Sequence, residues 1–414
     1  MKVLYFMNHA DQGGAALALY DLVLELKKNY TDYYPIVITG KNNKLNQMFT
    51  EIGVENYNSM YKNFLSSYKE PYQIIRTALK VRYEIGKRKG IKQIEKIIDP
   101  SSIDIIHSNL DRIDIGALYA EKYKIPHIWH IREHGNIHTT ANTILSNSLG
   151  KTDFDLISVK PDPILYMNKL AQKNNARNLF IAISESVKNE WIKKGIKENL
   201  IQLVYDGIRE ELFISKEELA NHSKNDNRLK VIFLGGYCEE KGQKELLDAL
   251  NLLTENELCE MHIDFYGNGS RKYAEYLRNK ANRLIENDIV EFHSYDPEIC
   301  KKLSTFDVGI NCSIEEGFGR VTVEYMMSNI CPIVSDKGAN PELVKNEKTG
   351  LIYKKGDIED LKNKILFALS NRKTIKQMGI LAHERAHANF SMKKHAETIY
   401  SIYKSMNKRE RENG

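Results

Sequence analysis

Residues 308–335 read VGINCSIEEGFGRVTVEYMMSNICPIVS, and their pattern decides the class of fold. A short apolar run at 308–311 has strand length, a Gly-Phe-Gly loop follows, and residues 319–327 carry helical spacing. A second apolar run, CPIVSD at 331–336, then restarts the strand pattern. Strand, glycine loop, helix and strand in succession make one βαβ unit of a parallel sheet.

The same alternation extends in both directions. Upstream lie LKVIFLGG (229–236), a helical stretch at 241–253, MHIDFYGNG (261–269), a helix near 273–285, IVEFHSY (289–295) and a short helix at 299–303. Downstream, helical spacing returns at 358–369 and 392–406. The first half repeats the scheme with MKVLYFMN (1–8), a helix at 15–28, YYPIVITG (33–40), IDIIHSNL (103–110), a helix at 115–124, PHIWHIRE (126–133), LFIAISES (179–186) and a helix around 185–194. Two doubly wound, Rossmann-like units follow one another, separated by the hydrophilic stretch KEELANHSKNDNRLK (216–230). The expected division is 1–210, 211–385 and a terminal helical segment 386–414 that packs back on the first unit. Residues 56–100 and 139–175 fit the alternation poorly and read as insertions of the kind that shape a site.

Composition narrows the function classes. The 414 residues are 42% hydrophobic and 28% charged, and no apolar run approaches the roughly 18 residues of a membrane span. The first residues lack the basic and long apolar regions of a signal peptide, so the chain is expected in the cytoplasm. The five cysteines (238, 259, 300, 312, 331) form no C-x-x-C pair and are expected reduced and mostly buried. No metal or other cofactor is expected, because His127, His130, His134 and His138 lack a supporting Cys or carboxylate frame.

The loop after 311 carries the chemistry. Free N–H groups and the positive end of a helix dipole attract an anion there, and Gly317 and Gly319 allow close approach to the backbone. Glu316 and Glu324 flank this anion site, which suits a ligand that is anionic and polyhydroxylated, as a sugar nucleotide is. Taken singly, either glutamate is equally a cap neighbour or a solvated helix residue.

These residues resemble the retaining glycosyltransferases of family 4, which have the GT-B fold of two facing Rossmann-like domains. Glu316 and Glu324, with Gly317, Phe318 and Gly319 between, match that family's Glu-x7-Glu signature. The likeness continues through CPIVSDKGANPELV (331–344), Thr349-Gly350, Gly13-Gly14, IAISESV (181–187), LVYDGI (203–208) and Lys241-Gly242. It implies a nucleotide-sugar donor, with UDP the expected nucleotide, and a glycan or lipid-linked acceptor in surface polysaccharide synthesis. Glu316 would contact the donor sugar and Glu324 the ribose hydroxyls. The backbone of Phe318, Gly319 and Arg320 would meet the diphosphate, and Lys241 would stabilise the leaving group. Gly236, Gly267 and His293 would complete the donor site of the second domain, Gly13 and Gly14 that of the first. In the strand 126–131 the resemblance assigns His130 to the donor sugar, although a packed histidine fits as well. It also implies retention of configuration without a protein nucleophile, a phosphate oxygen taking the acceptor's proton.

Two departures stand out. Gly236 occupies the place where the family usually has an arginine, which removes half of its cation clamp, and Ser294 replaces a common glycine. Arg320 or Lys337 would have to supply the missing charge. A nucleotide-sugar binder without turnover therefore stays open; a nicotinamide or flavin oxidoreductase is disfavoured because QGGAA (12–16) stands where G-x-G-x-x-G is needed.

The net charge of +5 is unevenly spread. Between 61 and 97 ten Lys or Arg face three Glu, so this segment carries +7 and the remainder −2. With Tyr72, Ile75, Leu79, Ile91 and Ile94 among the cations, it is expected to contact an anionic membrane surface rather than nucleic acid.

Overall fold

The computed structural model describes residues 1–7, 13–40, 44–59, 61, 73–111, 113–135, 167, 178–214 and 227–413. The chain divides into a unit of residues 1–205 with 395–414 and a unit of residues 206–394. The expected boundaries were 210 and 385. The observed ones follow the backbone: Ile208 donates its N–H to Phe390 O and accepts from Met392 N, which ties both segments to the second unit.

The first unit is built on seven strands: β1 Lys2–Met7, β2 Tyr34–Thr39, β3 Glu55–Asn58, β4 Ile105–Ser108, β5 His127–Ile131, β6 Asn178–Ala182 and β7 Ile201–Leu203. Their order is β3-β2-β1-β4-β5-β6-β7, and every pairing is parallel. The second unit has β8 Leu229–Leu234, β9 Met261–Tyr266, β10 Val290–His293, β11 Val308–Asn311, β12 Cys331–Ser335 and β13 Leu351–Tyr353, in the order β10-β9-β8-β11-β12-β13. These pairings are parallel as well. Strands β5, β11 and β12 are buried along their whole length, as strands with helices on both faces are. In each sheet the chain winds outward from one strand and returns to that strand's other side, so the order reverses at β1/β4 and at β8/β11. The carboxyl ends of such a strand pair open a crevice, the usual ligand position in open α/β sheets.

Several expected elements differ in detail. The helix expected from 241 starts at Gln243, because Gly242 has φ +76° and a 3-10 turn, Glu239–Lys241, precedes it. The helix expected at 273–285 is two, Arg271–Lys280 and Asn282–Glu286, broken at Ala281. The stretch 56–100 contains part of edge strand β3 and the 25-residue helix Gln73–Ile97, and its Lys87 is buried against Asp114 at 3.0 Å. The stretch 139–175, His138, and most of the loop before Gly13 lie outside the described residues. All five cysteines are free, but only Cys312 and Cys331 are buried, and Cys259 is exposed.

Residues 395–407 of the last helix, Met392–Asn413, pack on the first sheet. The Tyr403 hydroxyl lies 2.8 Å from that of Tyr5 and 2.6 Å from His107 Nδ1, and Tyr400 stacks on Tyr30. His107, His127 and His130 are wholly buried. Burial holds His127 down to about 3, and burial followed by the charge of Arg132 pushes His107 and His130 well below the ordinary imidazole range. The unfolded chain takes up these protons near pH 6.5 and the folded chain does not, so the first unit is fully stable above about 6.5 and loses stability as pH falls below it. For His127 alone the loss between pH 6.5 and 5 is about 2 kcal/mol. Urea unfolding should show a lower midpoint for the first unit at pH 5 than at pH 7; equal midpoints would contradict the neutral, buried assignment.

Candidate nucleotide-sugar site

The second sheet's reversal point gathers most of the residues singled out from the sequence. Gly235 and Gly236 follow β8, Gly267 follows β9, Cys312–Glu316 follow β11, and Gly338 lies beyond β12. The ends of β8 and β9 approach so closely that a Cβ on Gly267 would sit 2.0 Å from Gly235 O. Across the gap between β8 and β11, Ile314 N donates to Glu240 O at 2.9 Å.

The Lys241 ammonium reaches Glu316 Oε1 at 2.7 Å, and Ser313 Oγ donates to the same oxygen at 2.6 Å. Burial acts to lower the Lys241 pKa, but the charge and hydrogen bond of Glu316 outweigh it and the pKa is raised, so the side chain is a fixed cation. Glu316 therefore stands at the loop with two donors of its own, close to the start of the helix Arg320–Met327.

The loop's shape depends on two glycines. Gly319, the N-cap of that helix, has φ +90°, a conformation L-residues rarely adopt. Gly338 has φ +58°, and a Cβ there would lie 2.3 Å from Glu316 O and 2.4 Å from Glu316 N. Ala339 N donates to Glu316 O at 3.0 Å, so the turn after β12 directly supports the Glu316 backbone. Beneath the loop runs a buried polar chain. Asn311 Nδ2 donates to Thr322 Oγ1, Thr322 Oγ1 to Asn340 Oδ1, Asn340 Nδ2 to Ser335 Oγ, and Ser335 Oγ to Ser313 O. This chain locks β11, β12 and the helix into one arrangement.

Glu324 sits half-buried one turn into the helix, and its charge, after burial and Cys300, contributes to raising the Tyr295 pKa. Phe318 is buried and meets Phe390 edge-on, which leaves only its backbone for a ligand. The Arg320 guanidinium reaches Gly207 O at 3.4 Å, whereas Lys337 is half-exposed beside Asp336. The position of the absent arginine, Gly236, has Asn268 O at 3.2 Å from a Cβ built on it. The His293 side chain bonds Asp264 Oδ1 at 2.6 Å and stacks on Tyr266, while its carbonyl accepts from Gly267 N and the Tyr237 hydroxyl.

The remaining candidates belong to the first unit. Gly13 is the extended, exposed N-cap of the helix Gly14–Asn29. His130 has no exposed surface, and its Nδ1 lies 3.1 Å from His107 Nε2. At the carboxyl edge of this sheet stand instead Arg132, whose Nε donates to Asn109 Oδ1 at 3.0 Å, and His134, bonded to Ser186 Oγ. Sequence reading missed Ser313, Gly338, Asn340, Tyr295 and Asn109. Only Gly338 and Asn340, inside the quoted stretch 331–344, carried a signal.

Comparison with known proteins agrees with this architecture. Residues 215–385 match the family model described as glycosyl transferases group 1. The chain is 26% identical over 329 residues to an uncharacterized glycosyltransferase of Methanocaldococcus jannaschii, covering 78% of this chain and 79% of that protein. It is 24% identical over 234 residues to the capsular polysaccharide biosynthesis glycosyltransferase CapM of Staphylococcus aureus, covering 54% of this chain and 60% of CapM. Among solved structures, Anabaena HepE in complex with UDP and glucose superposes with a TM-score of 0.75 at 18% identity, over 98% of this chain and 100% of that one. S. aureus TarM in complex with UDP and sugar ligands follows with a TM-score of 0.69 at 13% identity, over 97% and 99%. The chain has the GT-B fold, two Rossmann-like α/β units.

Because the Gly338 turn presses on the Glu316 backbone, Gly338→Ala should cost about 1–3 kcal/mol in urea unfolding. Gly236→Ala, whose new methyl meets one carbonyl at 3.2 Å, should cost less. Equal midpoints for the two variants would contradict the described turn.

Proposed function

We propose that the chain is a retaining glycosyltransferase of family 4 that moves a sugar from a nucleotide sugar, with UDP as carrier, to a hydroxyl of a glycan or lipid-linked acceptor in surface polysaccharide synthesis. One observation carries the reading: a fixed cation, Lys241, and a carboxylate with its own donors, Glu316, meet at 2.7 Å beside a glycine loop that opens a helix. Such a loop holds phosphate, and an adjacent carboxylate recognises hydroxyls. The group 1 match over the second unit, and relatives named for UDP complexes and capsular polysaccharide, support it.

In this reading the diphosphate lies on the backbone N–H groups of residues 318–320 and against Lys241, with Glu324 on the ribose and Glu316 on the sugar. As the bond from the anomeric carbon to the phosphate oxygen breaks, that oxygen keeps the electron pair. The acceptor oxygen bonds the same face of the carbon and gives up its proton to the departing phosphate. Lys241 then acts where negative charge grows, which is where electrostatic stabilisation counts most. Lys337, exposed near the loop, supplies the charge absent at Gly236. No step calls on a metal ion or on His130 as a base.

Glu324→Ala should weaken UDP binding by about tenfold or more, as loss of hydrogen bonds to a charged group implies. Glu316→Ala should lower kcat more than it lowers UDP affinity. Calorimetry with UDP, and UDP release from a panel of UDP-sugars, check both. Wild-type turnover in both variants would refute the site, and UDP binding without release from any donor would favour a binding protein.

The acceptor side of the reading includes a membrane surface. On the helix Gln73–Ile97, Val81 and Ile85 are exposed at 52% and 48%, and Arg88, Lys89, Lys92 and Lys96 share their side of the helix. Two apolar anchors followed by four cations suit an anionic lipid surface. Among the described residues no helix is long and apolar enough to cross a membrane. Co-sedimentation should rise with the anionic lipid content of vesicles and fall in Lys89→Glu/Lys92→Glu; indifference to lipid charge would remove the membrane from the account.

A further inference from the structure

On β9 and β10 of the second unit, four side chains share the sheet face opposite the core residues Ile263, Phe265 and Val290. They are His262 and Asp264, two positions apart on β9, and Glu291 and His293, two apart on β10. The parallel register sets Glu291 beside Asp264. One ligand atom from each of His262, Asp264 and Glu291 lies within 4.8 Å of the others, and His262 Nε2 is 3.7 Å from Asp264 Oδ1.

The surrounding bonds aim these atoms at one point. His262 Nδ1 faces the Asp288 carbonyl at 3.0 Å and must be its donor, so in the neutral ring the lone pair is on Nε2, the atom nearer Asp264. His293 Nε2 lies 2.6 Å from Asp264 Oδ1 and holds that carboxylate in place. A carbonyl fixing the histidine and an imidazole fixing the carboxylate are the outer contacts that metal ligands typically have. Arg228 is paired with Asp288 at 3.1 Å. The side chains of His262 and Asp264 are about one-sixth exposed and that of Glu291 is 61% exposed, so an ion can enter from solvent and Glu291 can close over it.

We propose that His262, Asp264 and Glu291 form a binding site for a divalent cation of the zinc class, which cross-links edge strand β10 to its neighbour β9 and has no part in the transfer reaction. Nitrogen and oxygen ligands in this ratio suit zinc, nickel or cobalt better than magnesium, which prefers an all-oxygen shell. Bond lengths near 2.0–2.2 Å require neighbouring ligand atoms about 3.3 Å apart, so the observed spacing closes by a rotamer change of Glu291 and small shifts of the other two. Two carboxylates neutralise the ion, and a water completes the shell.

The test is calorimetric titration of the EDTA-treated full chain with zinc chloride, beside magnesium chloride. The proposal predicts one zinc per chain that tenfold magnesium does not displace, and a higher melting temperature with zinc. Glu291→Gln, an exposed change that leaves the fold intact, should weaken zinc binding tenfold or more, and His262→Ala should abolish it. Cys259→Ser removes the exposed thiol near β9 and should leave the affinity unchanged. Zinc binding that survives both ligand variants, that is lost with Cys259, or that fails to appear at all overturns the proposal.

Discussion

The second unit is organised around one ion pair at the place where its sheet reverses. Lys241 and Glu316 come from segments that leave neighbouring strands, β8 and β11, and turn to opposite sides of the sheet. Their 2.7 Å contact, with Ser313 on the same carboxylate oxygen, joins the segments that follow β8 and β11. The Lys241 side chain is one-third exposed, and the charge and hydrogen bond of Glu316 outweigh the effect of its partial burial and raise its pKa. In the proposed function this places a cation for a diphosphate beside an acceptor for sugar hydroxyls.

Backbone geometry makes the pair possible. Gly242 lies against Cys312 O, Gly338 against the backbone of Glu316, and Gly267 against Gly235 O, at separations no larger residue tolerates. The buried chain from Asn311 through Thr322, Asn340 and Ser335 to Ser313 satisfies polar groups that would otherwise be stranded under the loop. Rigidity of this kind suits catalysis by positioning, because little reorganisation remains when charge develops.

Much of this was legible in the sequence, for physical reasons. Strands buried on both faces read as unbroken apolar runs, so β8, β11 and β12 stood out, and the glycine loop with its flanking glutamates marked the site. The 19-residue helix Arg372–Phe390 escaped notice because half of its buried residues, Gly379, Ala382 and Ala386, are small, which weakens hydrophobic periodicity. The buried state of Lys87 depends on Asp114, a partner 27 residues away that no local pattern reveals. For His130 the resemblance implies a contact with the donor sugar, and a packed histidine fits as well. In the structure it lies in a buried network of His107, Tyr403, Tyr5 and Tyr33 that anchors the terminal helix, a pattern that involves residues 398 positions apart.

In the proposed function the reversal point of the second sheet holds a nucleoside diphosphate through Lys241 and the loop amides. A crystal structure of the full chain grown with UDP tests it most directly. The diphosphate should lie within hydrogen-bonding distance of Lys241 Nζ and the backbone N–H groups of residues 318–320, with the ribose on Glu324. UDP bound elsewhere on the chain, or bound with Lys241 and the loop untouched, would contradict it.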